Sequence, residues 1–460
     1  MTLIKSIAGI RGTIGGKAGD TLSPIDVVKF SSAFGKFIMQ NAANPKVVIG
    51  RDARPSGRVI SPLVINTLLA MGIDVLDLGL STTPTVEMAV TAENATGGII
   101  LTASHNPAGW NALKLLNQRG EFISAEDGKK LLEIVESGDV DFVEPKKFGK
   151  LNHDDSYMDF HIEKILEHEL VDVEAIKTRK FKVIVDAVNS TGGIAVPKLL
   201  EKLGVEVTEL YCEPNGAFPH NPEPLPENIT QICSDLEAGN YDLGIIVDPD
   251  VDRLALVCED GTPFGEEYTL VSVAEYVLRK RSGDTVSNLS STRALKDITE
   301  KNGNTYHASA VGEVNVVAKM KEVNAVIGGE GNGGVILPDL HYGRDALAGI
   351  ALFLSHLANF GKSASLLRSK YPNYHISKNK IELTPDIDVD KVLELLTDKY
   401  AKNPINTIDG VKIEFDNEWV QLRKSNTEPI IRIFAESDSL ATADHLANKL
   451  ISDIKEILAD

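Results

Sequence analysis

Short apolar runs and longer amphipathic stretches alternate along this chain, and their order predicts the elements. Pro24 to Gln40 carries apolar residues at helical spacing, with Ser23 and Pro24 suited to the cap and first position of a helix. Lys46-Val47-Val48-Ile49-Gly50 is a short β-branched strand that delivers Arg51 and Asp52, and Leu68 to Gly79 reads as a helix end, a glycine cap and a new strand. Gly97-Gly98-Ile99-Ile100-Leu101 follows as a buried strand, broken by His105, Asn106 and Pro107. Ser104 is thereby expected on the loop at a strand's end, where open α/β sheets place their chemistry.

The same succession of helix, glycine and strand returns from Leu199 to Leu210, with Val183-Ile184-Val185-Asp186 before it and the strand Tyr241 to Val247 after it. A weaker third copy runs from Asn288 through Gly328. Repeats this long mean repeated α/β domains, since solenoid units are far shorter. After Tyr371-Pro372-Asn373 the pattern changes to short strands with two amphipathic helices, near 388–401 and 440–458. Charged, Pro/Gly-containing residues from Val140 to Asp155 and the turn Glu259 to Pro263 mark boundaries. Four units are expected: 1–150, 151–258, 259–370 and 371–460. The first three would each deliver a functional loop from a strand end into one cleft.

Composition narrows the partners. Against 47 basic residues stand 66 acidic ones, a net charge of −19, which argues against nucleic acid and anionic membrane surfaces. A phosphorylated substrate would need a local basic pocket with identifiable arginines. The longest apolar run, Ala346 to Leu354, is a buried helix, far short of the roughly 20 residues that a bilayer span requires. Cys212, Cys233 and Cys258 are an odd number without C-x-x-C spacing, which indicates neither a disulfide framework nor a zinc knuckle and fits a reducing, cytoplasmic setting. The opening MTLIKSIAGIRGTIGG has an early arginine and too short an apolar run for a secretory signal, and Ile7 to Gly12 within it reads as a glycine-punctuated loop carrying Arg11.

Four stretches carry the candidate chemistry. Ser104 offers a hydroxyl nucleophile, although Ser-His-Asn-Pro is also ordinary turn chemistry. Asp248, Asp250 and Asp252 fall at alternate positions after an apolar strand; three carboxylates converging in one loop are costly unless a cation binds them, and all-oxygen ligands point to Mg²⁺. A calcium loop would open the same way and would place Glu259 at its twelfth position, but its sixth position is Arg253 where glycine is required, and a strand resumes there. A solvated acidic turn is the other alternative. Glu330 and Asn332 lie among glycines from Gly328 to Gly334, where a backbone can approach a ligand closely and a carboxylate plus an amide suit sugar hydroxyls or an amine. Arg423, Ser425, Asn426, Thr427 and Arg432 combine cations, hydroxyls and an amide suited to clamping an unreactive phosphate, or form a polar turn between strands.

Taken together, TASHNPAGWNALK (102–114), DPDVDR (248–253), GGEGNGG (328–334) and RKSNTEPIIR (423–432) resemble, in this order and across nearly the whole chain, the phosphoserine, metal, sugar and phosphate loops of the α-D-phosphohexomutase family. The resemblance implies an α/β, four-domain phosphohexomutase-like fold: three similar α/β domains with mixed sheets plus a smaller α+β C-terminal domain around a central cleft. It implies that phosphorylated Ser104 shares an Mg²⁺ with the three aspartates and that Lys114 acts as general acid/base. Arg253 and Arg11 match positions that contact the phosphoserine or substrate. His105 would orient the serine or stabilise the turn, and the second arginine, Arg432, would grip phosphate or support its loop.

The implied activity is a phosphohexose mutase interconverting 6-phospho and 1-phospho hexoses through a phosphoserine enzyme and a bisphosphate. The overall length and the Ser104 loop look most like phosphoglucosamine mutases, with phosphomannomutase or phosphoglucomutase activity as the alternative. Other classes are an idle sugar-phosphate-binding protein and a metal-dependent phosphatase. A monomer or homodimer without nucleic-acid or membrane partners is expected. Three departures from the commoner bacterial pattern bear on specificity: Gly334 stands where a histidine often ends the sugar loop, Ala112 replaces a glycine, and Glu313 stands where some relatives have histidine or aspartate.

Overall fold

A computed structural model describes residues 2–6, 9–40, 42–382, 388–424 and 430–459. Its first three sheets share one device. A parallel strand, Gly97–Leu101, Leu243–Val247 or Ile327–Glu330, runs into a functional loop and returns as an antiparallel strand, Trp110–Leu116, Leu254–Cys258 or Gly334–Ile336. The reversal is local in each case. Apolar strands buried on both faces end abruptly at residues that cannot be buried cheaply, so the polar loop emerges at the carboxyl edge of the sheet.

The first sheet has seven strands in the order Ile4–Ser6, Gly9–Thr13, Trp110–Leu116, Gly97–Leu101, Lys46–Arg51, Asp74–Leu80 and Leu151–His153. Its last strand lies just past the expected boundary at 150 and runs parallel to Asp74–Leu80. Arg11, read as a loop residue, instead lies in a strand: Gly9–Thr13 pairs antiparallel with Trp110–Leu116, an edge that the sequence around Gly9 and Gly12 does not announce. The second and third sheets have four strands each and are mixed in the same way, and the fourth is a five-stranded antiparallel sheet. Its two amphipathic helices, expected near 388–401 and 440–458, are Val389–Lys399 and Leu440–Ala459.

Two helix starts show side-chain capping clearly. Ser23 and Asp26 form a reciprocal capping box ahead of Pro24–Met39, and the Asp345 carboxylate accepts from the amides of Leu347 and Ala348 at the head of Ala346–Phe360. That second helix, the longest apolar run, is buried from Ala346 to Leu357 and packs inside one core with Phe181, Leu199, Leu254 and Val271. The second and third sheets therefore share a continuous interior. The first and fourth sheets close on cores of their own, around Val47, Phe34 and Ile99 and around Ile413, Ile431 and Leu450. Among the described residues no helix is long and apolar enough to cross a membrane.

Polar contacts dock the outer units onto the shared middle. On one side Thr83 donates its amide to the Asp250 carbonyl at 2.9 Å and its hydroxyl to the Asp250 carboxylate at 2.6 Å. On the other, Lys412 Nζ donates to the Leu289 carbonyl at 2.8 Å, while buried Glu436 accepts from the Arg293 amide at 3.0 Å and from Trp419 Nε1 at 2.6 Å. Trp419→Phe removes part of a buried ring and deletes a hydrogen bond to a buried carboxylate. It is expected to lower stability by at least about 2 kcal/mol, read by denaturant unfolding; no loss would show that this bond within the fourth sheet does not hold Glu436 in place for the Arg293 amide.

Candidate active site

Ser104 is held in a backbone conformation that side chains disfavour, with φ of 48°. A buried hydrogen-bond ladder enforces it. The Ser104 amide donates to Thr102 Oγ1 at 2.9 Å, the Thr102 hydroxyl donates to Asp52 Oδ2 at 2.7 Å, and Asp52 Oδ2 accepts Arg54 Nε at 2.9 Å. The Arg54 guanidinium then donates to four carbonyls of the loop: Ser104 at 2.5 Å, Asn106 at 2.6 Å, Pro107 at 2.6 Å and Trp110 at 3.1 Å. Asp52 and Arg54 are both 0 % exposed, so this clamp belongs to the interior. Reading the sequence missed Arg54. Only its place in the loop after a short apolar strand could have hinted at it; the parallel pairing of Lys46–Arg51 with Gly97–Leu101, which brings the two loops together, is seen in the structure alone.

Opposite lies the acidic loop. The carboxylates of Asp248, Asp250 and Asp252 have no solvent exposure, and an oxygen from each lies within 4.8 Å of the others. Asp248 Oδ2 accepts the Ser104 hydroxyl at 2.7 Å, while its other oxygen accepts the amides of Asp252 and Arg253, both at 3.1 Å. Asp250 Oδ1 and Asp252 Oδ1 are buried and have no hydrogen-bond partner among the described residues. Burial, followed by repulsion from Asp252 and Asp250, pushes the Asp248 carboxyl well above its ordinary range. Unpaired anionic oxygens of one loop are what a hard divalent cation satisfies, so the donor set fits a metal. The Leu254–Cys258 strand starts right after Arg253, as expected if the loop is not an EF-hand.

Lys114 enters this cluster from Trp110–Leu116. Its ammonium lies 2.7 Å from Asp250 Oδ2 and 3.2 Å from Asp252 Oδ2. Burial works against its charge, but Asp250 and Asp252 outweigh burial and hold the group protonated above the ordinary lysine range. His105 Nδ1 is 3.4 Å from the Ser104 hydroxyl, and burial followed by the Arg253 charge keeps the imidazole neutral. Arg253 reaches Glu223 at 3.3 Å, and Arg11 reaches the Asn106 side chain at 3.5 Å.

Two adjoining chambers collect these groups. One, of about 730 Å³, is lined by Arg11, Ser104, His105, Lys114, Arg253 and Glu330, together with Asn332, Arg344 and Arg432. The other, of about 330 Å³, shares His105, Arg253, Glu330, Asn332 and Arg432 and adds Arg423. Arg423 and Arg432 face each other across neighbouring antiparallel strands. Arg423 Nε already pairs with Asp409 at 3.0 Å, and the like charges left in register favour a further anion between them. Ser425, Asn426 and Thr427 lie outside the described residues. All the other candidate residues come to one place.

The carboxyl raised at Asp248 must lose its proton when a cation binds, so the proton competes with the metal. Mg²⁺ affinity by calorimetry is expected to rise with pH, and Asp250→Asn is expected to weaken it at least about tenfold, or 1.4 kcal/mol. A pH-independent affinity, or an unchanged one in Asp250→Asn, would place the ion elsewhere.

Against proteins already characterised, four domain descriptions match in sequence: Phosphoglucomutase/phosphomannomutase, alpha/beta/alpha domain I over residues 4–141, domain II over 157–261, domain III over 265–374, and the C-terminal domain over 380–452. A Phosphoglucomutase/phosphomannomutase of Thermococcus kodakarensis is 38 % identical over 435 residues, covering 93 % of this chain and 94 % of that one. A Phosphoglucosamine/phosphogalactosamine mutase of Sulfurisphaera tokodaii is 31 % identical over 457 residues, covering 98 % of each. The crystal structure of a phosphoglucomutase/phosphomannomutase family protein from Burkholderia thailandensis superposes with a TM-score of 0.86 at 27 % identity, covering 99 % of this chain and 98 % of that one. With four matched domains in sequence, relatives alike end to end and the loops converging on one cleft, the chain belongs to the phosphoglucomutase/phosphomannomutase family, the α-D-phosphohexomutases that its motifs resemble.

Proposed function

We propose that this chain is a phosphohexose mutase that works through phosphorylated Ser104 and a hexose bisphosphate. The observation that carries this reading is the Ser104 hydroxyl 2.7 Å from Asp248 in one chamber, with Arg423 in the adjoining chamber and its cross-strand partner Arg432 lining both. A reactive group and a separate pair of cations suit a substrate with two phosphate positions. Interconversion then requires the bisphosphate to turn end for end, and adjoining chambers of about 730 and 330 Å³ give it room.

In the first transfer the bond between phosphorus and Ser104 Oγ breaks while a bond to the free sugar oxygen forms. Lys114, held as the ammonium beside Asp250 and Asp252, supplies the proton to the departing serine oxygen and takes up the one leaving the sugar hydroxyl. After the turn, the other phosphoryl group passes back to Ser104 Oγ with the proton moving the opposite way. Mg²⁺ held by Asp248, Asp250, Asp252 and a phosphoryl oxygen on Ser104 would add Lewis-acid charge stabilisation. Arg54 keeps the attacking and leaving oxygen in line by fixing its loop, and Arg423 and Arg432 hold the phosphate that does not react.

Glucosamine 6-phosphate to glucosamine 1-phosphate is the conversion favoured by the Ser104 loop, whose sequence is most like phosphoglucosamine mutases. Phosphoglucomutase/phosphomannomutase activity is the second reading, favoured by the 38 % identity to the Thermococcus protein of that name against 31 % to the Sulfurisphaera one. The kcat/KM values for glucosamine, glucose and mannose phosphates decide between them. A preference of about tenfold, 1.4 kcal/mol, for glucosamine phosphate is expected, and an equal or larger value for glucose or mannose phosphate would establish the second reading. Ser104→Ala should fold and lose turnover. Full activity in that variant, or stoichiometric phosphate release without isomerised sugar, would remove the mutase reading.

A further inference from the structure

Glu313 and Gly334, both departures from the commoner sequence pattern, meet at a side chain outside the four loops. Arg344 has 9 % of its side chain exposed, and its guanidinium engages three carboxylates from three segments. Nη2 donates to Asp252 Oδ2 at 2.8 Å, Nε to Glu313 Oε2 at 2.9 Å and Nη1 to Glu330 Oε2 at 2.9 Å. The first belongs to the acidic loop, the second opens the helix Glu313–Val323, and the third ends the strand Ile327–Glu330.

The root of this arginine is fixed as well. Its amide donates to Glu313 Oε1 at 3.2 Å, Asp345 caps the following helix, and the Ala346 amide donates to the Val251 carbonyl inside the acidic loop at 3.1 Å. Glycine at 334 makes room for the stem: a Cβ there would stand 2.3 Å from Arg344 Cδ and 3.0 Å from its Cγ, with the looser contact of 3.2 Å to Asn332 Oδ1. Glu330 has little freedom beyond this contact, because its other oxygen accepts Asn288 Nδ2 at 2.7 Å and the Gly312 amide at 3.2 Å.

We infer that Arg344 is a positioning residue that couples the metal loop to the sugar loop, holding Asp252 and Glu330 in one relative geometry. Its functional meaning rests on the mutase reading. Charge neutralisation alone would need only a cation. A planar guanidinium using three different nitrogens fixes direction too, which an ammonium cannot do. Glu313 completes the fork, so the third carboxylate orients the guanidinium and Gly334 leaves its path clear. The sugar-facing carboxylate therefore cannot shift without moving a carboxylate of the metal loop, and a correctly placed sugar phosphate and a correctly arranged acidic loop favour each other.

Four variants of the full chain test this. Arg344→Lys keeps a cation but loses the fork; Gly334→Ala changes no charge and displaces the stem; Glu330→Gln, alone and combined with Arg344→Lys, asks whether the arginine acts through the glutamate. Circular dichroism checks folding, calorimetry reads binding of glucose 1,6-bisphosphate and Mg²⁺, and kcat and KM are measured separately. In Arg344→Lys and Gly334→Ala the bisphosphate affinity is expected to fall at least about tenfold, with KM for hexose phosphate rising in parallel. The double variant should lose no more than about twofold beyond the weaker single variant, the non-additivity of residues acting as a unit. Affinity and kcat/KM within about twofold of the parent in Gly334→Ala, or losses that multiply in the double variant, would overturn the inference. If Arg344→Lys does not fold, Gly334→Ala decides. If the parent fails to turn over any hexose phosphate, the mutase reading fails by itself, and Mg²⁺ binding decides the coupling: a change of at least about threefold in Gly334→Ala supports it and an unchanged affinity overturns it.

Discussion

Three aspartates with no solvent exposure, converging within one loop, are the constraint on which the rest of this structure depends. Charges of one sign taken out of water repel one another in a medium that screens them poorly, so they must be matched by cations, hydrogen-bond donors or protons. Each surrounding element supplies part of the match. The first unit contributes Lys114 and the Thr83 hydroxyl, the third contributes Arg344, and Ser104 donates its hydroxyl to Asp248. The two carboxylate oxygens left without a hydrogen-bond partner among the described residues are the part of the match that a metal ion can supply. Electrostatic compensation of one loop thus brings the units together at the same point where phosphoryl chemistry needs positive charge.

The way the interior is divided serves that point. The second and third sheets share one continuous apolar core, which fixes the acidic loop relative to the sugar loop. The first and fourth sheets enclose separate cores and meet the middle largely through hydrogen bonds and ion pairs, with Tyr157 and Val314 of the middle packed on one face of the first sheet. Polar interfaces of this kind can rearrange at less cost than a dry core. Ser104 and the cross-strand arginines Arg423 and Arg432 thus sit on the two outer units, with the acidic and glycine-rich loops on the shared centre between them.

Much of this was legible along the chain, and the reason is locality. Each of the three loops follows directly from a short apolar strand, so Ser104, Asp248 to Asp252 and Glu330 could be placed at sheet edges from the pattern alone. The terminal helices stood out by their amphipathic spacing. Arg54 and Arg344 did not stand out, because each acts through contacts with segments distant in sequence: Arg54 reaches carbonyls 50 to 56 residues away, and Arg344 reaches Asp252 across 92 residues. The strand Gly9–Thr13 was missed for a similar reason, since its pairing partner is Trp110–Leu116 and its own glycines resemble a turn. Gly334 was visible only as a missing histidine. Its role as space for the Arg344 stem exists only in three dimensions.

The central claim is that Ser104 carries the phosphoryl group between two positions of one sugar. The most direct measurement is to load the protein with a labelled hexose 1,6-bisphosphate, map the label by peptide mass spectrometry, and follow its transfer to added hexose monophosphate. The expected result is label on Ser104 alone, passing stoichiometrically to sugar as bisphosphate with no free phosphate. Label on another residue, no covalent label during active turnover, or label leaving only as inorganic phosphate would contradict it.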